Sequence, residues 1–143
     1  MGLSVHKVDG KQVHRVWPLV EHFLDDALAS SPNYPSWYKN YNTEQLQVFL
    51  ANGAWSLYVW VDEENTIRGA CTVSYLNYPL HRVAFITACG GSFITNQESF
   101  AKLKELLKAQ GATKIQAYCR ESAARLFGRL GFEPRTTLIE TLV

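Results

Sequence analysis

The chain has 143 residues, 47% of them hydrophobic and 19% charged, which suits one packed domain spanning 1–143 rather than a disordered segment. A formal net charge of +1 supplies no basic face for nucleic acid, and no apolar run approaches the roughly 20 residues of a membrane span. The opening MGLSVHKVDGKQ has no hydrophobic signal segment, so a cytoplasmic location is expected.

Residues 3–8, LSVHKV, alternate as a short strand, and Asp9-Gly10 reads as a turn. Val13, Val16, Trp17, Val20, Phe23, Leu24, Ala27 and Leu28 recur at helical spacing and predict a helix over about 12–30, with Pro18 tolerated near its first turn. Residues 31–42, SPNYPSWYKNYN, form a loop crowded with aromatics. Asn42 or Thr43 can cap a second helix that runs to Asn52 and stops at Gly53. Three strands follow at 55–61, 67–78 and 82–89 with short links, which predicts an antiparallel meander.

Thr95 precedes Glu98 by three residues, a capping box for a helix over 96–110 that Gly111 ends. KIQAYC, 114–119, reads as a strand, ESAARLFGRL, 121–130, as a helix ended by Gly131, and FEPRTTLIETLV as a closing strand. Strands and helices alternating at the end require part of the sheet to be parallel.

Cys71, Cys89 and Cys119 are far apart in apolar, strand-like settings, and His6, His14, His22 and His81 are scattered. Neither set has metal-ligand spacing, so buried structural thiols and no metal are expected.

RESAARLFGRLGFEP, 120–134, resembles a motif near the C-terminus of GNAT acetyltransferases, Asn-x-x-Ala-x-x-Leu-Tyr-x-x-Leu-Gly-Phe, matching it at Ala123, Leu126, Leu130, Gly131 and Phe132. The element order is similar to that family over most of the chain. The resemblance implies an α+β fold, a mixed, centrally splayed β-sheet flanked by helices. Gly53-Ala54-Trp55 with Leu57 and Val59, Asn77-Tyr78-Pro79, Gly90-Gly91 and Gly131-Phe132 resemble a GNAT-like group encoded by tailed bacteriophages. That narrower resemblance implies a place in the host cytoplasm or the virion.

Enzymes of the family hold the pyrophosphate of acetyl-CoA on backbone N–H groups at a helix start, with a Gln/Arg-x-x-Gly-x-Gly/Ala sequence. The matching segment here, with Gly90, Gly91, Ser92, Thr95 and Asn96, lacks the Gly-x-Gly spacing, and no Lys or Arg lies between Arg82 and Lys102. The family's Tyr, which protonates the departing thiolate, matches Phe127, and its Asn matches Arg120. The strands 67–78 and 82–89 contain no carboxylate to serve as base. Tyr118, Glu121, His81 and Cys89 are the substitutes available.

These departures lead to the expectation of a non-catalytic virion or assembly component without a cofactor, acting through contacts with other virion proteins and in an oligomeric state left open. Tyr34, Trp37, Tyr38 and Tyr41 are its candidate contact residues, although the same loop could cap the protein's own core. The alternative is an acetyl-CoA-dependent N-acetyltransferase. A third reading is an inhibitor of one host protein.

Overall fold

The computed structural model describes residues 2–28, 40–91, 97–119 and 121–143, with the backbone alone for 121–123. β1 (Ser4–Val8) leads through a 3-10 turn at Gly10–Gln12 into α1 (Val13–Leu28). Val13, Trp17, Val20 and Leu24 are the buried stripe of α1, at the spacing that keeps one helix face on a sheet. Pro18 sits in the second turn of α1, later than expected, on its exposed side.

α2 (Thr43–Ala51) is capped by Asn42. Its side chain accepts from the Gln45 backbone N–H at 2.9 Å, and the Gln45 side chain accepts from the Asn42 N–H at 2.9 Å.

β2 (Ser56–Val61), β3 (Ile67–Asn77) and β4 (Arg82–Gly91) form the expected antiparallel meander, with β1 antiparallel on the far side of β2. α3 (Gln97–Ala109) then carries the chain across to β5 (Lys114–Ala117), which pairs parallel with β4, and α4 (Glu121–Gly128) follows. Phe132 N donates to Phe127 O at 3.1 Å and Gly131 N to Gly128 O at 3.1 Å, so Gly131, at φ +96, closes α4 as its position implied.

The strand order β1-β2-β3-β4-β5 makes a five-stranded mixed sheet with an apolar layer on each face. Period-2 alternation along β2 explains both layers. Tyr58 and Trp60 point to one side, where Phe100, Leu103 and Leu107 of α3 meet Cys71, Val73, Ala84 and Ile86. Leu57 and Val59 point to the other, where the stripe of α1 and Leu46 and Leu50 of α2 meet Ala70 and Ala88.

Three expectations change. β4 runs two residues further than 82–89, so Gly90 and Gly91 belong to the strand. β5 stops at Ala117, leaving Tyr118 and Cys119 beyond it, and Cys119 is exposed rather than a buried thiol. The closing strand over FEPRTTLIETLV is not formed: residues 132–143 have β propensity, but propensity makes a strand only where a neighbour completes the ladder.

Candidate active site

β4 is zipped to β5 only along its first half. Val83 faces Lys114, Ala84 faces Ile115, Phe85 faces Gln116 and Ile86 faces Ala117, and there the ladder ends. On its other edge β4 stays paired with β3 as far as Gly69–Gly91. Among the described residues, 87–91 therefore keep one strand neighbour and face a split on the side of β5.

A bulge marks the point of separation. Thr72 pairs with Ala88 and Val73 with Ile86, so Thr87 has no residue opposite it. Its hydroxyl lies 2.7 Å from the Thr72 hydroxyl and donates to Thr72 O at 3.1 Å. The Tyr41 hydroxyl donates to Thr87 O at 2.9 Å. Tyr41 stands edge-on to Trp55, with ring centroids 5.4 Å apart. Burial raises its phenol pKa, and the nearby Tyr118 phenol adds to the rise.

Tyr118 follows the last paired residue of β5 and sets its ring edge-on against Phe85 at 4.8 Å, while staying 52% exposed. Phe85, Thr87, Tyr41 and Tyr118 thus gather where the two strands part. Of these, the sequence pointed to Tyr118 for chemistry and to Tyr41 for another purpose. Thr87 and Phe85 were missed, because a threonine or phenylalanine inside an apolar run is ordinary strand composition.

The glycine pair has a structural reason. A Cβ on Gly90 would come within 2.3 Å of Phe23 O in α1, and one on Gly91, at φ +98, within 2.3 Å of Arg68 O. α1 and β3 approach the end of β4 so closely that only glycine fits. Ser92, Thr95 and Asn96 lie outside the described residues. At the start of α3, Gln97 Nε2 donates to Arg129 O at 3.0 Å, which ties this helix end to the turn after α4, and Glu98 stands in the first turn.

The other candidates divide. His81 lies at the opposite end of β4, 2.9 Å from the Thr113 hydroxyl, and is not part of the split. Its neighbour Arg82 fastens that end. The guanidinium donates to Asn77 Oδ1 at 2.7 Å and to Gln110 O at 3.0 Å, and lies 4.3 Å from the centre of the Tyr75 ring. Cys89 sits across the ladder from Cys71, and burial pushes its thiol up to about 12, so it is no base at neutral pH. Glu121 is the first residue of α4.

Phe127 is buried, its ring 5.3 Å from that of Phe132. Tyr34, Trp37 and Tyr38 lie outside the described residues. Tyr41 is half-buried and bonded to β4, which braces the strand at the split. A separate shallow depression between α1 and α2, lined by His14, Gln47, Val48, Ala51 and Asn52, has no nucleophile or carboxylate and lies apart from the split.

The chain matches no protein-family model and no curated protein. Solved structures match over its whole length. A GCN5-related N-acetyltransferase from Ralstonia eutropha is 14% identical, with 99% of each chain covered and a TM-score of 0.66. A predicted acetyltransferase from Clostridium acetobutylicum, solved with acetyl-CoA, is 18% identical over 99% of this chain and 96% of that one, at a TM-score of 0.62. An aminoglycoside acetyltransferase from an uncultured soil sample is 18% identical over 100% and 99%, at 0.68. The protein has the GNAT acetyltransferase fold, a mixed sheet splayed at β4 and β5 and flanked by helices.

Proposed function

We propose that the protein is an N-acetyltransferase that takes acetyl-CoA along the open half of β4 and acetylates an amine. The observation that carries this reading is the end of the β4–β5 ladder at Ile86–Ala117, with the Thr87 bulge beyond it. A strand edge without a neighbour accepts an extended chain through main-chain hydrogen bonds, and the pantetheine arm is such a chain, with two amides. Solved acetyltransferases of the same fold, one of them with acetyl-CoA, support the reading.

The fit is good for the arm and poor for the phosphates. Residues 87–91 offer the edge. Gly90 and Gly91 are already required by Phe23 and Arg68, and Glu98 places a carboxylate at the helix end that otherwise favours anions. Acetyl-CoA, when bound, supplies an activated acetyl thioester. Tyr118 Oη holds a proton at the mouth of the split, in the role for which Phe127 has none to give. Tyr41 and Thr87 keep the bulge in place. Phe85 and Tyr118, packed edge-on at 4.8 Å, line the mouth with aromatic surface.

Calorimetric titration with acetyl-CoA and with S-acetylpantetheine tests this. Both are expected to bind in the micromolar range and within about tenfold of each other, a difference of about 1.4 kcal/mol, because the phosphates gain little. A second reading rests on the buried Phe127 and the preoccupied glycines: a non-catalytic virion or assembly component of a tailed phage, with a degenerate cofactor site. It predicts no binding of either compound and recovery of the protein in purified particles.

A further inference from the structure

Aromatic rings line one face of the sheet where β4 and β5 part. Ala84 and Ile86 turn toward the α3 core, so alternation turns Phe85 to the opposite face. Ile115 and Ala117 pack against that same core, and Tyr118, just beyond them, sets its ring on Phe85 instead. Tyr41 and Trp55 pack against the layer built from α1 and α2, which is also the face away from α3. Phe49 of α2 stacks on Trp55 with centroids 4.7 Å apart. The Tyr118 phenol is near enough to Tyr41 to act on its ionisation, which brings the two ring pairs together. Each of these rings keeps some surface open. Tyr118 is 52% and Phe49 38% exposed, and Tyr41, Trp55 and Phe85 are half-buried.

The polar groups among the rings are already engaged. Tyr41 Oη donates to Thr87 O at 2.9 Å, and the Thr87 hydroxyl donates to Thr72 O at 3.1 Å. What Tyr41, Trp55 and Phe85 have left to offer a ligand is ring surface. We propose that this surface holds the body of the acceptor, and that the acceptor is a small primary amine carrying an aromatic ring, with its nitrogen at the mouth of the split.

Partly open rings held edge-on take a further ring in the offset or edge-to-face arrangement that aromatic groups prefer. An amino sugar or a polyamine needs something else, carboxylates for its several ammonium groups and free donors and acceptors for its hydroxyls. The Asp25 carboxylate, beside the start of α2, is already bonded to the Thr43 hydroxyl at 2.6 Å. In the reaction the neutral amine nitrogen bonds to the acetyl carbon, the carbon–sulfur bond breaks, and the proton lost by nitrogen ends on the departing sulfur. The reaction rests on the acetyltransferase reading, whereas binding of the amine to the rings does not.

Ligand-observed NMR titration of the full chain with phenethylamine, n-butylamine, spermidine and glucosamine tests the proposal, with turnover measured on the same amines in the presence of acetyl-CoA. Phenethylamine is expected to bind at least tenfold more tightly than each of the others and, where there is turnover, to have at least tenfold the kcat/KM. Tyr118→Ala is expected to weaken phenethylamine binding at least tenfold, while Tyr118→Phe, which keeps the ring, is expected to retain it. If Tyr118→Ala does not fold, the comparison among the four amines decides alone. Ring-dependent binding of phenethylamine without turnover of any amine upholds the aromatic site and removes the acetyltransferase reading. Equal binding of phenethylamine and n-butylamine, or turnover that favours spermidine or glucosamine, overturns the proposal. A folded Tyr118→Ala variant that binds phenethylamine as the unaltered chain does overturns it as well.

Discussion

The two halves of β4 differ in composition and in pairing. From Arg82 to Ile86 the strand is held on both edges, and the Arg82 side chain, bonded to Asn77 and Gln110, secures its lower end to β3 and to the turn after α3. From Thr87 to Gly91 it is held on one edge only, with one bulge between the halves. An extra residue on one strand increases the local twist and turns that strand away from a neighbour that does not share the twist. β5, only four residues long, does not follow. A single unopposed threonine therefore lies between the part of the strand paired on both edges and the part paired with β3 alone among the described residues.

Substitutions on either side of the bulge can break or sharpen this contrast. Gly90→Ala should have the largest effect, because its Cβ would meet backbone of α1 that cannot yield. A loss of about 3 kcal/mol in urea unfolding is expected, in line with overpacked cores. An unchanged midpoint would mean that α1 does not press on the open half.

Tyr118→Phe should leave urea stability and acetyl-CoA affinity nearly unchanged while lowering kcat about 100-fold, the usual scale for losing a positioned proton donor. If kcat holds, Tyr118 is only the packing partner of Phe85. Thr87→Val keeps the shape and removes the hydroxyl shared with Thr72, at a cost of about 1–2 kcal/mol. It should also speed amide exchange in the open half while leaving Val83–Ile86 unchanged. Equal effects on both halves would show that the bulge is not the divide.

Much of the fold was legible in the sequence, because hydrophobic period and glycine stops are local signals. The α1 stripe, the cap before α2, the meander and the glycine after α4 all came from residues near one another in the chain. The split did not. Where β5 ends and where β4 bulges depend on the pairing of residues far apart in sequence, and Thr87 is distinguished from its neighbours only by a hydroxyl. Gly90-Gly91 were visible as unusual, but the helix and strand that require them lie dozens of residues upstream. Tyr41 was singled out as an aromatic anchor, and its bond to Thr87 could be found only in three dimensions. The expected final strand failed for the same reason in reverse, since its composition was right and its partner was missing.

Hydrogen exchange of the full chain with and without saturating acetyl-CoA tests the central claim most directly, that the open half of β4 is a ligand-binding edge. The account predicts that amides between Thr87 and Gly91 slow markedly on addition of the compound while those of Val83–Ile86, already protected by β5, do not change. Slowing confined to the α1–α2 depression around His14 and Gln47, or no change anywhere at saturating concentration, would contradict it.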